Sequence, residues 1–216
     1  CGIMPEEEPH YGIHILPMPI IIDGKTYFEG IDITMEEFYQ KQTSGSVITT
    51  SQPSPGDVTD MWDLLLKAHD EIVFIPMSSG LSNTCQTALL LAEDELYKGR
   101  VFVVDNHRIS VTQALAVLDA KVLADEGRIA REIKEILEQE AMDATIYIAV
   151  DTLEYLKKGG RITAAAAALG TILKLKPVLT IQGDKLDSYA KARGMKSAFR
   201  VMLEALKSDI ASRLSH

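Results

Sequence analysis

Apolar and polar positions along this chain follow two alternating periods. Short β-branched runs, Ile72-Val73-Phe74-Ile75 above all, end in polar turns, and each turn opens a stretch of helical spacing. Strands are predicted over residues 47–52, 72–75 and 101–104, with helices over 54–66, 81–96, 111–125 and 128–139. Asp23-Gly24 is a hairpin signal, Thr34 caps a short helix over 35–41, and Ser54-Pro55 supplies a cap and a first-position proline. The opening CGIMPEEEPHYG, with its prolines and acidic triplet, reads as loop. Beyond Ala144 the texture changes. A strand over 145–150 leads to a short helix capped by Asp151 that stops at Gly159-Gly160. An alanine-rich helix over 163–173, a hairpin around Gly183-Asp184 and an amphipathic helix over 195–210 follow.

Strands that alternate with helices through short turns specify an α/β fold with a parallel sheet, whose ligands sit beyond the carboxyl ends of the strands. Three polar turns occupy that position: TTSQPS, SSGLSNT and DNHRIS. In the second, Ser78, Ser79, Ser82 and Thr84 crowd a strand-to-helix turn, where the first helical N–H groups have no intrahelical partner. Hydroxyls and amides at such a turn suit one small anionic group. The same residues also suit plain helix capping, and both readings stand at this level.

Charge divides the chain. The total is −9, which argues against general nucleic-acid binding. Residues 1–150 carry 10 basic and 25 acidic side chains, whereas residues 151–216 carry 12 and 6. This split supports a boundary near residue 142, giving an N-terminal parallel-sheet domain over 1–142 and a second α/β domain over 143–216. The basic part would face an acidic partner or a phosphate, or is a merely uneven solvated surface. No run of about 18 apolar residues suggests a membrane span, and no cationic apolar leader opens the chain. Cys1 and Cys85 form no spaced pair, so neither a disulfide framework nor a zinc site is expected. A cytoplasmic setting is the simplest reading.

Several chemistries find no support. Gly24-Lys25-Thr26 lacks the upstream glycine of a phosphate loop, and SSGLSNT is not the G-x-S-x-G of a nucleophile elbow. The five histidines have no metal-ligand spacing, and only His107, beside Asp105 after a strand, is well placed for a site. In Lys157-Lys158-Gly159-Gly160-Arg161 the lysines complement a helix end, but Arg161 is left projecting. Arg193, in KARG, is a second glycine-flanked arginine, and the planar fork of arginine suits carboxylates or phosphates. The alternative for both is helix capping and pairing with Glu154 or Asp187. The run Ala164 to Ala168 fits close helix packing or, alternatively, room beside a long apolar ligand.

Taken together, FEGIDITMEEFY, TTSQPSPGDV, SSGLSNTCQTA, VFVVDNHRIS, LEYLKKGGRI, LKPVL and KARG resemble the DegV family. These bacterial fatty-acid-binding proteins include the acyl-carrying subunit of fatty acid kinase. The resemblance implies a Rossmann-like parallel-sheet domain, a smaller α/β domain and a long-chain fatty acid held between them. It implies that hydroxyls of Thr50 and Ser82, with Ser79 and Ser51 nearby, bind the carboxylate, and that Arg161 and Arg193 face the kinase and the phosphate in transfer. No catalytic residue, metal or cofactor is implied in the chain itself, since a separate kinase subunit supplies ATP and magnesium. The family's first strand, before Cys1, and its G-x-H-x-G-P-G segment, after His216, are absent from this sequence. Asn83 and Cys85 replace a usual glycine and tyrosine. Two other classes remain open. One is an acyl-transferring enzyme with Ser79 or Ser82 as nucleophile, and the other is an anion- or nucleotide-binding regulatory module.

Overall fold

The computed structural model describes residues 1–168, 175–182 and 185–213. Strand β1 (Pro19–Ile22) turns through Asp23-Gly24 into β2 (Lys25–Phe28). Both turn residues are left-handed, with φ of 49° and 81°, the backbone a two-residue hairpin requires. Helix α2 (Met35–Thr43) follows, and its capping residue Thr34 accepts the Glu37 N–H. Strand β3 (Ile48–Thr50) then pairs antiparallel with β1, giving the sheet order β2-β1-β3. The extended segment before TSQPS therefore belongs to an antiparallel sheet. The parallel pairing expected from the strand-helix alternation occurs between β4 (Ile72–Phe74) and β5 (Val101–Val103), in the register Ile72 to Val101.

Helices cover both faces of this parallel pair. Helix α3 (Pro55–Leu65) and helix α4 (Thr84–Leu91) bury Val58, Trp62, Cys85 and Ala88 with Tyr97, Val101 and Val103. On the other side α5 (Ser110–Asp125) and α6 (Ala130–Gln139) bury Ala116, Ala120, Ile133 and Leu137 with Val104. The remaining elements build another sheet. Strands β6 (Ile146–Ala149), β7 (Leu175–Ile181) and β8 (Asp187–Arg193) run antiparallel in that order. Helix α9 (Met195–Ser212) packs on it through Ala198, with Val178 and Ala192 beneath.

Local differences from the sequence reading have physical causes. Residues 5–11 are helical, not loop: a 3-10 turn over Pro5–Glu7 runs into α1 (Glu8–Tyr11). The acidic triplet supplies the fastening, since Glu7 accepts the Met4 N–H and Glu8 accepts the Ile15 N–H. Helix α4 starts later than residue 81 because residues 78–82 form a separate turn, and it ends at Leu91, where turns begin. Asp151 does not cap α7 (Glu154–Gly159); it pairs with Lys176 at 2.6 Å, and the Thr152 hydroxyl accepts the Glu154 N–H instead. Helix α8 (Ala164–Ala168) buries Ala166, which favours the packing role for the alanines. The expected continuation to residue 173, the Gly183-Asp184 turn and His216 lie outside the described residues.

Two predictions follow from this packing. At the start of α3, Ser54 and Asp57 form a reciprocal pair, with Asp57 N–H donating to Ser54 Oγ at 3.1 Å and Ser54 N–H to Asp57 Oδ2 at 2.9 Å. Ser54→Ala should cost about 1 kcal/mol in urea unfolding with an unchanged slope. Cys85 is wholly buried, and burial, reinforced by the Asp105 carboxylate, pushes its thiol up to about 12. A raised value means the protonated thiol persists at pH 8, so a disulfide reagent should titrate Cys1 in the native chain and both thiols in denaturant. Rapid native reaction at Cys85 would contradict its burial.

Candidate functional site

Because β4 and β5 run parallel, their carboxyl ends open on the same edge, and the turns that follow them meet there. The Ser78 N–H donates to the Arg108 carbonyl at 2.9 Å, and the Ser79 N–H reaches Asp105 Oδ1 in a long contact of 3.5 Å. SSGLS and DNHR are thus laced together. Ser78, only 1% exposed, shapes the turn: its carbonyl accepts the Leu81 and Ser82 N–H groups, and its hydroxyl accepts the Gly80 N–H at 3.2 Å.

Ser82 sits at the mouth of α4. Its Oγ accepts the Thr84 N–H at 3.2 Å and lies 2.8 Å from Thr84 Oγ1. Asn83, at the formal cap position, makes no side-chain capping bond, so Ser82 performs that service. Capping does not exhaust the hydroxyl. When Thr84 donates in the hydroxyl pair, the Ser82 proton is available to an acceptor such as a carboxylate oxygen.

The TSQPS turn approaches the same helix. Thr50 ends β3 and is exposed. Ser51, also exposed, donates its N–H to the Pro19 carbonyl at 3.1 Å and its hydroxyl to the Gln52 carbonyl at 3.0 Å. Gln52 Oε1 accepts the Thr87 hydroxyl at 3.4 Å, which ties the turn to α4 one helical turn beyond Ser82. The KKGGRI segment also comes to this place. Gly160, at φ 70°, ends α7, and Arg161 donates Nε to the Leu81 carbonyl at 3.4 Å and Nη1 to the Gly159 carbonyl. Arg193 lies exposed at the end of β8, opposite Leu175 in the register. The acids considered as partners for these arginines are engaged elsewhere: Glu154 pairs with Lys158, and Asp187 accepts the Thr163 hydroxyl.

Below the hydroxyl turn lies an apolar body shared by both sheets' surroundings. Leu81 is buried with Leu153, Ala166, Leu179, Ile181 and Leu186, and Ile109 packs against the same cluster. A polar turn therefore stands directly on hydrocarbon. A separate cavity of about 660 Å³ follows β4 along residues 71–77, walled by Met61, Trp62 and Leu65 on one side and Val117 and Ala120 on the other. Thr84 reaches its lining, but Thr50, Ser51, Ser79, Ser82, Arg161 and Arg193 do not. The indole N–H of Trp62 is buried there without a hydrogen-bond partner.

Sequence reasoning missed the support under DNHR. The Asp105 N–H donates to Glu138 Oε1 at 3.0 Å, and Lys134 bridges Glu138 and the Val103 carbonyl. Arg108 is buried and donates Nη2 to the Glu140 carbonyl at 2.7 Å. The spacing of Lys134 and Glu138 on one helical face was the available signal. Among the described residues, no group of three His, Cys, Asp or Glu side chains could hold a metal, and no helix is long and apolar enough to cross a membrane.

The match to known proteins extends over nearly the whole chain. The family model described as "Uncharacterised protein, DegV family" matches residues 1–215. A DegV domain-containing protein of Caldanaerobacter subterraneus is 35% identical over 206 residues, covering 94% of this chain and 73% of that protein. A solved structure described as fatty acid binding of a DegV family protein from Thermus thermophilus superposes with TM-score 0.87 at 35% identity, over 98% of this chain and 75% of that one. DegV of Bacillus subtilis, described as a fatty acid binding protein, gives 0.83 at 28% identity, over 97% and 75%. On sequence and fold alike, this chain belongs to the DegV family.

Proposed function

We propose that this chain binds one long-chain fatty acid and presents its carboxylate to a separate fatty acid kinase subunit, which phosphorylates it to an acyl-phosphate. The observation that carries the reading is the placement of Ser82 on buried Leu81, a hydroxyl-rich turn seated on an apolar cluster. The carboxylate is held by Ser82 and Thr50, with Ser79 and Ser51 near, and the acyl chain runs between the N-terminal region, residues 1–142, and the region 143–216. The fatty-acid-binding descriptions of the Thermus and Bacillus relatives support the ligand class. Burial of each CH₂ contributes about 0.8 kcal/mol, so ten buried methylenes supply about 8 kcal/mol before association costs. A few polar contacts then suffice to fix the head.

The cavity along β4 is the poorer place for the acyl chain. A strand edge presents backbone N–H and C=O groups that hydrocarbon cannot pair. None of the four proposed carboxylate-binding residues lines it. Phosphorylation requires a carboxylate oxygen to attack the γ-phosphorus of ATP while ADP departs, and negative charge gathers outside the head site. Arg161, already beside the Leu81 carbonyl, and Arg193 stabilise that charge or steer the kinase. The chain performs no catalysis of its own and acts in the cytoplasm. A serine acyl-transfer enzyme is disfavoured because the Ser82 hydroxyl meets Thr84, a second hydroxyl rather than a base.

One fatty acid per chain should be released and identified by mass spectrometry of the purified protein. Thr50→Val and Ser82→Ala should each weaken acid binding by roughly 1.5–3 kcal/mol relative to a matched fatty alcohol, measured by calorimetry. Equal losses for acid and alcohol would remove these hydroxyls from the carboxylate site. Arg161→Ala and Arg193→Ala should leave acid affinity nearly unchanged and lower acyl-phosphate formation with the kinase, more at low salt than at high. Normal turnover with a lowered melting temperature would make both arginines structural.

A further inference from the structure

We propose that Lys134 and Glu138 are positioning residues for the carboxylate site, holding the hydroxyl turn in place so that an acid binds in preference to an alcohol of the same chain; this role rests on the fatty-acid reading above. The two side chains form an ion pair one helical turn apart on α6, with Lys134 Nζ 2.6 Å from Glu138 Oε1. The comparable pairs Arg128 with Glu132 and Glu154 with Lys158 are exposed. Lys134 and Glu138 are only 28% and 33% exposed, and each also holds a backbone group of another element.

Those backbone groups belong to the edge of β5 that faces away from β4. The Val104 N–H is donated to the Phe74 carbonyl at 2.9 Å. A trans peptide directs its carbonyl opposite to its N–H, so the Val103 carbonyl turns away from β4, and the Asp105 N–H follows it to that side. Among the described residues, β4 is the sole strand paired with β5. Lys134 donates to the Val103 carbonyl and Glu138 accepts the Asp105 N–H at 3.0 Å, so the ion pair stands where a neighbouring strand would. It thereby fixes the end of β5 and the start of DNHR.

From there the constraint reaches the hydroxyl turn along two lines. Asp105 Oδ1 lies 3.5 Å from the Ser79 N–H. At the other end of the loop, Arg108 donates Nη2 to the Glu140 carbonyl, just past α6, and its own carbonyl accepts the Ser78 N–H. The end of α6 therefore brackets DNHR against Ser78 and Ser79, and the Ser78 carbonyl in turn accepts the Ser82 N–H. A hydrogen bond to a carboxylate is shorter and stronger than one to a hydroxyl, and it weakens steeply with misalignment. A displacement of Ser82 by about 0.5 Å thus harms the binding of an acid more than that of an alcohol.

The test uses the full chain with tetradecanoic acid and tetradecanol. Lys134→Met and Glu138→Ala should each weaken the acid about fivefold and leave the alcohol within about twofold, and Glu138→Gln, which keeps an oxygen for the Asp105 N–H, should recover most of the loss. Glu132→Ala, which breaks an ion pair nearer the start of the same helix, should change neither ligand. Coupling is mutual, so in the unaltered chain the acid should slow hydrogen exchange at the Asp105 amide about fivefold more than the alcohol does, a readout that needs no folded variant. Equal losses for acid and alcohol, an unaffected acid, no recovery in Glu138→Gln, the same selective loss in Glu132→Ala, or equal protection of the Asp105 amide would overturn the role of the pair while the fatty-acid reading stood. An unaltered chain that bound neither ligand would overturn both.

Discussion

Two loops leave neighbouring parallel strands at the same edge, and neither can be buried there unless its backbone polar groups find partners. The hydrogen bond from the Ser78 N–H to the Arg108 carbonyl meets that demand, between residues that are both almost fully enclosed. An orphaned donor at this depth costs about 1–3 kcal/mol, so the contact constrains both loops together. The rest of the site inherits its position from it. With Ser78 fixed, its carbonyl closes the turn to Leu81 and Ser82. That turn drives Leu81 into the apolar cluster and leaves Ser82 at the start of α4. With Arg108 fixed, His107 is pressed into its left-handed conformation beside Asp105.

Charge acts at longer range and more weakly. The sequence is acidic over residues 1–150 and basic beyond. Part of the basic charge is matched nearby, as Lys158 with Glu154 and Lys176 with Asp151. Exposed pairs of this kind contribute less than about 1 kcal/mol each and are screened by salt. Their use is to hold local shape. Arg161 differs, because its donors go to carbonyls rather than to an acid, and its guanidinium charge therefore remains uncompensated at the edge of the hydroxyl turn.

What could be read from the sequence was local. Thr34, Ser54-Pro55 and Asp23-Gly24 each specify a cap or turn through bonds within four residues, and each forms as expected. The α/β class and the hydroxyl turn between β4 and α4 followed from periodicity for the same reason. Pairings across long separations were not legible. Ser51 binds the Pro19 carbonyl because β3 joins β1, and no periodicity within VITTSQ chooses an antiparallel neighbour. Asp151 had the composition of a cap, but Lys176 offered an ion pair that only the β6-β7 pairing brings close. Arg161 and Leu81 are 80 residues apart, and their contact is a product of the fold. Arg108 and Lys134 were hidden for a related reason: in sequence both look like solvated surface, yet each donates to a backbone carbonyl more than 30 residues away.

A head site built from hydroxyls rather than from a bidentate arginine has a chemical consequence for the proposed function. An arginine fork binds a carboxylate tightly by drawing on both oxygens, which lowers the electron density available for attack on phosphorus. Serine and threonine donors hold the same group with single, weaker bonds. The apolar cluster under Leu81 makes this arrangement workable, since the methylene chain supplies the affinity that the head does not. Binding energy taken from the tail leaves the carboxylate both located and reactive, which is what a subunit that hands its ligand to a kinase requires.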